Sequence, residues 1–430
     1  MIDRYTLPKM REIWSEDAKF RKWLEVELAV CEGWAKLGKI PDDTLRKIKK
    51  KAKFSLKRAK VIEKEVGHDF IAFLTSVAEN VGKESRFIHM GLTSYDVEDT
   101  SLILRLRESA KIISQDISDL IKILRRRAKE HKDTVMMGRS HGVHAEPIAF
   151  GLKLAVWVAE MERNLERVKE IIARLSVGKI SGAVGTYANV DPRVEDYALK
   201  KLGLDKDAAS TQVIARDRHS EYLGTLAIIA ASLEKFATEI RNLQRTELLE
   251  VEEPFGRKQK GSSAMPHKKN PILSERVSGL ARVVRANAIA GLENCVLWHE
   301  RDLAHSSVER VILPDSSILV DYMLQVFSKV MAGLVVYKEN MKKNIEKTGG
   351  LIFSERLLHK LIDKGLTRED AYRIVQSDAM KARAKGKPYR EVVLSDPLTL
   401  KHLSEKEINE AFDLRYFTKN IDAIYKRLGI

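Results

Sequence analysis

The distribution of proline constrains the fold of this 430-residue chain more than any other feature of the sequence. No proline occurs in residues 42–146, 193–253 or 272–313. Because proline breaks the interior of a helix, stretches of this length without it favour long helices.

Apolar residues recur in alternating steps of three and four in three segments of the chain. The stripes are Leu106, Ala110, Ile113, Ile117, Leu120 and Leu124; Val158, Met161, Leu165, Val168, Ile172 and Leu175; and Tyr222, Leu226, Ile229, Leu233, Phe236, Ile240 and Leu243. This spacing lines one face of a helix, and each apolar face needs other helices to cover it. No comparable run alternates apolar and polar residues, so strands should be minor. We therefore predict an all-α fold built around a bundle of long, near-parallel helices.

The predicted helical segments become shorter after about residue 341. Shorter units with local helix caps follow, such as Thr367 with Asp370 and Ser404 with Glu407. The change predicts a separate helical part at the C-terminal end. We predict three helical domains, which are residues 1–92, the long-helix bundle of 93–341, and residues 342–430.

The composition is that of a globular protein, with 44% apolar and 32% charged residues. The first ten residues lack the apolar region of a signal peptide, and no apolar run approaches the roughly 18 residues of a membrane helix. We therefore expect a cytoplasmic protein that does not contact a membrane. Cys31 and Cys295 lie far apart without a C-x-x-C pattern, which predicts two buried thiols and neither a disulfide nor a cysteine metal site.

A net charge of +15 raises the possibility of a nucleic-acid partner. The segment from Arg46 to Lys60 holds nine basic residues and no acidic one. Phe54 is the only aromatic residue there, and no recognisable nucleic-acid module occurs, so base stacking and base readout lack their usual parts. We interpret the segment as solvated helix and keep a basic nucleic-acid binder as an alternative.

The segment GRKQKGSSAMPHKKNP, residues 256–271, combines two glycines, two prolines and six basic or potentially basic side chains with no acid. It is typical of an anion-binding loop, since Ser262 and Ser263 follow a glycine and offer hydroxyls and backbone N–H groups. Lys268 adds a positive charge and Asn270 an amide donor. From composition alone, an exposed basic loop without a catalytic role remains an equal alternative.

This loop resembles the shared motif of the fumarase/aspartase superfamily, G-S-S-x-M-P-x-K-x-N-P. All eight fixed positions are matched from Gly261 to Pro271. Within the superfamily, a histidine at the position of His267 is found in adenylosuccinate lyases and in carboxymuconate cycloisomerases. The segment GRSHGVHAEP, residues 138–147, resembles the adenylosuccinate lyase motif around a catalytic histidine, here His141, which cycloisomerases generally lack.

Further segments resemble the same family, namely GHDF (67–70), HMGLTSYDVEDT (89–100), STQVIARDRH (210–219) and HERDLAHSSVER (299–310). The resemblance to the adenylosuccinate lyase family therefore extends over nearly the whole chain. Carboxymuconate cycloisomerase and argininosuccinate lyase are kept as alternative activities.

The resemblance implies a β-elimination that releases fumarate from adenylosuccinate, giving AMP, and from the succinyl-carboxamide ribotide of purine nucleotide biosynthesis. It also implies a homotetramer whose active sites are each shared between three chains. The family needs no metal and no cofactor. His141 and His144 stand three residues apart, but no third metal ligand is evident in the sequence.

The resemblance also implies catalytic roles for particular residues. Ser262 takes the proton from carbon, with Ser263 as the alternative, and His141 protonates the leaving nitrogen. Glu275 is expected to orient His141. Lys268 is expected to stabilise the serine alkoxide, and His68 to lie on the side of the phosphate and the leaving group.

Substrate contacts are carried over in the same way. Lys268 and Asn270, helped by Thr93 and Ser94, are expected to bind the carboxylates of the succinyl group. The residues expected at the nucleotide end and its phosphate are Arg4, Tyr5, Arg301, Ser306 and Arg310. The residues expected to complete the pocket are His68, Asp69, His89 and Gln212.

Overall fold

The computed structural model describes residues 2–256 and 258–430, and helices dominate both ranges. In chain order the α-helices are α1 (Pro8–Ile13), α2 (Glu16–Lys36), α3 (Asp42–Lys51), α4 (Leu56–Val66), α5 (Asp69–Val81), α6 (Ser94–Glu130), α7 (Phe150–Leu175), α8 (Pro192–Leu202), α9 (Asp217–Leu243), α10 (Ile272–Glu293), α11 (Ala304–Gly333), α12 (Lys338–Glu346), α13 (Ser354–Asp363), α14 (Arg368–Lys385), α15 (Tyr389–Ser395), α16 (Pro397–His402), α17 (Glu405–Ala411), α18 (Arg415–Thr418) and α19 (Ile421–Arg427). Short 3-10 helices cover Asp3–Tyr5, Gly82–Phe87 and Leu351–Phe353. The predicted all-α class is confirmed.

The strands of the described residues are short and pair two by two. Strand β1 (Val135–Ser140) is antiparallel to β2 (Val143–Ala149). Strand β3 (Val177–Gly178) is parallel to β4 (Asp205–Lys206), and β5 (Val251–Glu252) is antiparallel to β6 (Val335–Val336). As predicted, strands are minor.

The three apolar stripes lie on long helices, as their spacing predicts. The stripes that begin at Leu106 and Tyr222 lie on α6 and α9, and every side chain in them is at most 2% exposed. The stripe on α7 is buried except at Leu165 and Ile172, which are partly buried. Burial of these faces is the main stabilising contribution to the helices.

The predicted helix caps near the C-terminal end are confirmed. The Thr367 hydroxyl accepts a hydrogen bond from the Asp370 N–H at 3.2 Å, at the start of α14. Ser404 and Glu407 form a reciprocal capping box at the start of α17. Each cap satisfies N–H groups that have no partner within the helix, so the sequence defines these helix starts locally.

The described residues form two compact units. Unit 1 comprises residues 2–119, Glu162–Lys235 and Arg276–Val326, and unit 2 comprises Leu120–Met161, Phe236–Glu275 and Phe327–Ile430. The expected division into domains 1–92, 93–341 and 342–430 stays a prediction.

Each unit has an aromatic cluster in its own core. In unit 1, Phe20 stacks on Trp23 with ring centroids 4.9 Å apart, and Phe73 meets both rings edge-on. In unit 2, Trp157 stacks on Phe236 at 4.6 Å. A further apolar cluster of unit 2 lies among helices α13 to α17.

The two cysteines and helix α11 differ in part from what the sequence predicts. Cys31 is buried as expected, but Cys295 is exposed and lies two residues beyond the end of α10. Among the described residues, helix α11 is long and apolar enough to cross a membrane. However, 72% of its most apolar window is buried inside the protein, which is typical of a core helix.

Candidate active site

His141 lies at the tip of the β1–β2 hairpin in unit 2. His141 and Gly142 form the two-residue turn, with φ angles of 55° and 77°. Positive φ at both central residues is the pattern of a type I′ turn, whose twist matches that of a hairpin. Residues other than glycine rarely adopt this conformation. The His141 imidazole is exposed at the end of the two-stranded ribbon.

The loop Gly261–Pro271, also in unit 2, is closed at its base by a side-chain hydrogen bond and by a close approach of the backbone. The Asn270 side-chain amide donates a hydrogen bond to the carbonyl oxygen of Gly261 at 3.0 Å. A Cβ atom at position 261 would clash with the Lys268 carbonyl oxygen, so glycine is required for this close approach. Asn270, which was expected to bind substrate, therefore also holds the two ends of the loop together.

The Ser262 hydroxyl oxygen lies in a small cluster of backbone donors within this loop. It accepts hydrogen bonds from the N–H of Ala264 at 3.2 Å and from the N–H of Met265 at 3.1 Å. Ser263 is exposed. Two N–H groups directed at one oxygen favour negative charge on that oxygen. The surroundings of the Ser262 oxygen therefore differ from those of the exposed Ser263.

A buried glutamate, Glu253, fixes the end of the loop where α10 begins. Its carboxylate accepts from the N–H of Leu273 at 3.1 Å and from the N–H of Ser274 at 2.6 Å. These N–H groups have no acceptor within the helix, so Glu253 caps α10 from outside it. The sequence motif gives no sign of this contact, because Glu253 precedes the motif.

Lys268 and Glu275 are exposed in the single chain. Within residues 2–256 and 258–430, no hydrogen bond or ion pair joins Glu275 to His141. Their expected pairing stays a prediction.

In unit 1, Thr93 lies immediately before α6 and is held by Asp96. One oxygen of Asp96 accepts from the Thr93 N–H at 2.9 Å. The other forms an ion pair with Lys179 and accepts from the N–H groups of Ser181 at 3.0 Å and Gly182 at 3.2 Å. The carboxylate therefore fixes the turn that carries Thr93 and Ser94 to the segment that follows β3.

His89 is held by Glu27, a residue that the sequence analysis missed. The Glu27 carboxylate accepts from the His89 N–H at 2.9 Å and lies 2.7 Å from its Nδ1. Glu27 is 1% exposed, and His89 has a positive φ of 60°. A charged residue on the apolar face of α2 was the available signal, because a buried carboxylate needs a partner.

His68 caps α5, and the next residue, Asp69, is the centre of an ionic cluster. Asp69 Oδ2 lies 2.8 Å from Arg310 and 3.4 Å from Lys19. Burial alone would raise the pKa of Asp69, but the Arg310 guanidinium and the Lys19 ammonium lower it below its usual value. A carboxylate of Glu98 lies 3.7 Å from Arg310, and burial, followed by Asp69, raises the pKa of Glu98 to about 7.

Ser306 and Arg310 line a cavity of about 250 Å³ within unit 1. Its walls combine aromatic rings with charged groups, including Trp14, Trp23, Tyr95, Lys19, Glu98 and Arg105. Arg301 lies with its guanidinium carbon 3.4 Å from the centre of the Tyr95 ring and donates to Gln212 Oε1 at 2.9 Å. Gln212, Arg301, Ser306 and Arg310 are thus four expected substrate residues that unit 1 brings to this region.

Arg4 and Tyr5 lie in the first 3-10 helix of unit 1, and Arg4 is exposed. The Tyr5 ring packs against Tyr322 with centroids 5.2 Å apart, and Arg276 lies 6.0 Å from the Tyr5 ring. These contacts fix Tyr5 and leave the Arg4 guanidinium accessible to an anion.

Comparisons with known proteins identify two matching families. Residues 3–286 match the family described as "Lyase", and residues 350–428 match the family described as "Adenylosuccinate lyase C-terminus". Together the two matches cover most of the chain.

Curated relatives match over the full length of the chain. The sequence is 56% identical over 431 residues to the adenylosuccinate lyase of Aquifex aeolicus (strain VF5), covering 100% of this chain and 99% of the relative. It is 55% identical over 431 residues to that of Synechocystis sp. (strain ATCC 27184 / PCC 6803 / Kazusa) and 52% identical over 430 residues to that of Bacillus subtilis (strain 168), each covering 100% of both chains.

Solved structures with the same fold are more distant in sequence. A fumarate lyase from Mesorhizobium sp. BNC1 matches with a TM-score of 0.92 at 28% identity, covering 100% of this chain and 99% of that one. A 3-carboxy-cis,cis-muconate lactonizing enzyme from Pseudomonas putida matches with a TM-score of 0.89 at 28% identity, covering 99% and 98%. The fold is therefore shared with enzymes of different activity. The higher sequence identity to the adenylosuccinate lyases separates these relatives from the structural matches.

Proposed function

Because the chain belongs to the adenylosuccinate lyase family of the fumarase/aspartase superfamily, we propose that it releases fumarate from adenylosuccinate and leaves AMP. The observation that carries the proposal is full-length identity of 52–56% to three adenylosuccinate lyases, against 28% to the muconate lactonizing enzyme. The same β-elimination on the succinyl-carboxamide ribotide of purine synthesis is the second proposed reaction.

The proposed reaction needs a base for a weakly acidic C–H and an acid for a poor leaving group. Ser262 takes the proton from the carbon beside the carboxylate, and the C–N bond then breaks. His141 gives a proton to the departing nitrogen, a role that suits an imidazole because a ring nitrogen can carry the proton and donate it. Lys268 stabilises the negative charge that accumulates on the substrate carboxylate.

Two hydrogen bonds support Ser262 rather than Ser263 as the base. A serine hydroxyl is a poor base in water, so the alkoxide needs stabilisation by nearby donors. The N–H groups of Ala264 and Met265 supply such donors to the Ser262 oxygen. Ser263 stays the alternative, to be separated from Ser262 by mutation.

The substrate carries a phosphate and two carboxylates, and both units offer groups for them. In unit 1, Arg4, Arg301 and Arg310 provide guanidinium groups, which bind phosphate through paired N–H donors. Tyr5, His68, Asp69, His89, Gln212 and Ser306 complete this nucleotide-binding set. Thr93, Ser94, Lys268 and Asn270 are proposed to bind the succinyl carboxylates, and Glu275 to orient His141.

We also propose a homotetramer in which three chains contribute to each active site. Exposed apolar side chains in unit 1 support it, because a monomer rarely leaves so many in one segment. Between residues 289 and 303, the exposed ones are Ile289, Leu292, Val296, Trp298 and Leu303. Light scattering on the purified protein tests the assembly, and a stable, fully active monomer would contradict it.

The chemistry of the proposed reaction requires only protein side chains, so neither a metal nor a cofactor is invoked. The proposed reactions belong to purine nucleotide synthesis, and on this ground we propose a cytoplasmic location.

Ion pairs account for part of the basic segment 46–60, since Lys49 lies 2.8 Å from Glu32 and Arg58 lies 2.7 Å from Glu79. These pairs favour a solvated surface over a nucleic-acid interface.

Fumarate release is the direct test of the proposed function. Purified protein is incubated separately with adenylosuccinate, argininosuccinate and carboxymuconate, and products are followed by absorbance and chromatography. We expect fumarate and AMP from adenylosuccinate alone. Turnover of another substrate with none of adenylosuccinate would overturn the proposal, and salt-sensitive nucleic-acid binding without any turnover would favour the non-enzymatic alternative.

A further inference from the structure

We propose that Glu250 is a positioning residue for His141 and that it acts through Arg139. The inference rests on the proposed role of His141 as the acid. It extends that role to two residues outside the catalytic set, one within the GRSHGVHAEP motif and one more than a hundred positions away. All of the groups concerned lie in unit 2.

Arg139 and Glu250 form a two-pronged ion pair. Arg139 Nη1 donates to Glu250 Oε2 at 3.0 Å, and Nη2 donates to Oε1 at 2.7 Å. The Glu250 side chain is completely buried, and that of Arg139 is 16% exposed. Paired parallel hydrogen bonds fix the orientation of the guanidinium as well as its distance, which a single lysine contact does not.

Glu250 is itself held firmly. Its N–H donates to the Leu243 carbonyl at 2.9 Å, and its carbonyl accepts from the Tyr337 N–H at 2.9 Å. The side-chain amide of Asn344, on α12, donates to Glu250 Oε1 at 2.8 Å and to the Leu248 carbonyl at 2.9 Å. The carboxylate is therefore a fixed point to which the hairpin is attached.

The hairpin needs such an attachment near its tip. Near its base the hairpin packs through Met137 against Ile345 and Phe353. A two-stranded ribbon is only marginally stable by itself beyond such contacts, and the tip carries a non-glycine residue with positive φ. Arg139 precedes His141 by two residues and lies opposite His144 in the register of the two strands. Because catalysis depends on the placement of the acid, a shift of about 1 Å in the hairpin tip is enough to lower the rate about 100-fold.

Matched variants separate this role from a general contribution to stability. Glu250→Gln keeps the size of the side chain and removes its charge, and Arg139→Lys keeps the charge and removes the fork. Glu239→Gln is the control, because Glu239, on α9, pairs at 2.7 Å with Lys153, on α7, and both lie in the same unit outside the hairpin strands. For each variant, kcat, KM and the melting temperature are measured with adenylosuccinate.

We expect Arg139→Lys and Glu250→Gln to lower kcat about 10- to 100-fold, with KM changed less than about threefold. Glu239→Gln should keep its kcat within about twofold of the wild type, since it leaves the hairpin untouched. If Glu250→Gln does not fold, Arg139→Lys alone decides. A kcat within about twofold of the control in the folded variants would overturn the proposal.

A double mutant tests whether the effect passes through His141. His141→Asn removes the imidazole, and asparagine tolerates the positive φ at this position. In the His141→Asn background, Glu250→Gln should lower the residual rate no further, whereas an undiminished fall would overturn the inference. The proposed role of His141 is tested separately, because it fails only if His141→Asn alone keeps normal turnover.

Discussion

Lys179 and Asp96 form an ion pair in which both side chains are completely buried. The same Asp96 oxygen accepts two backbone N–H groups, and its second oxygen holds the Thr93 N–H. These donors replace the hydrogen bonds to water that the carboxylate loses on burial. The pair therefore links the stability of unit 1 to the position of a proposed carboxylate-binding turn.

Replacing Lys179 with methionine should be strongly destabilising. The change leaves a buried carboxylate without its cation, and breaking such a pair costs about 3–5 kcal/mol. Denaturant unfolding at a fixed protein concentration measures the loss. The control is Lys206→Met, which removes an exposed ion pair with Asp196 and should cost less than about 1 kcal/mol. Equal losses in the two variants would contradict the prediction.

Ser262→Ala should abolish most turnover, while Ser263→Ala should retain more. Loss of the general base lowers kcat by about 100-fold or more, and the backbone donors of the loop favour Ser262 as that base. Steady-state kinetics gives kcat, and calorimetry with AMP checks that the binding site persists. The reverse order of the two activities would assign the base to Ser263.

Gly261→Ala should disrupt the catalytic loop even though it adds only a methyl group. The added Cβ would clash with the Lys268 carbonyl oxygen, so the loop base would open and kcat/KM would fall about 10- to 100-fold. Gly256→Ala is the matched control, because the nearest atoms that its Cβ would meet among the described residues are those of Gln259, at 3.8 Å. If both variants keep the wild-type kcat/KM, the close approach at Gly261 does not contribute to activity, and the prediction is wrong.

Glu98→Gln should change how stability depends on pH. Burial, followed by the Asp69 carboxylate, raises the pKa of Glu98 from 4.5 to about 7. A raised carboxyl pKa stabilises the folded state below the unfolded pKa, and this stability is lost as the pH rises through 7.

The free energy of unfolding of Glu98→Gln, relative to the wild type, should therefore increase between pH 4.5 and pH 8, by at most about 3 kcal/mol. Denaturant titrations at several pH values measure it. Glu65→Gln, at an exposed position of α4, is the control and should show no such trend. A pH-independent difference for Glu98→Gln would show that this carboxyl does not titrate in the expected range.

Much of the fold follows from local patterns in the sequence. The stripes on α6, α7 and α9 and the caps at Thr367 and Ser404 depend on residues a few positions apart, so spacing alone predicts them. Cys295 shows the limit of this reasoning, since residue type alone predicts a buried thiol where the structure has an exposed one.

The residues that hold the candidate site could not be predicted in the same way. Glu27, Glu250 and Glu253 are buried carboxylates whose roles depend on partners 62, 111 and about 20 positions away. A glutamate in a sequence rich in charge gives no sign of its partner. Family resemblance finds the groups expected to touch the substrate, whereas the geometry finds the groups that hold them in place.

Each compact unit is made of three separate stretches of the chain, so neither unit corresponds to a continuous piece of the gene. A recombination point anywhere between residues 120 and 326 divides both units at once. Exchange between two diverged genes would then combine halves of two cores that have drifted apart, and most such hybrids should fold poorly. We therefore expect the chain to be inherited as one block. The relatives at 52–56% identity match it from end to end.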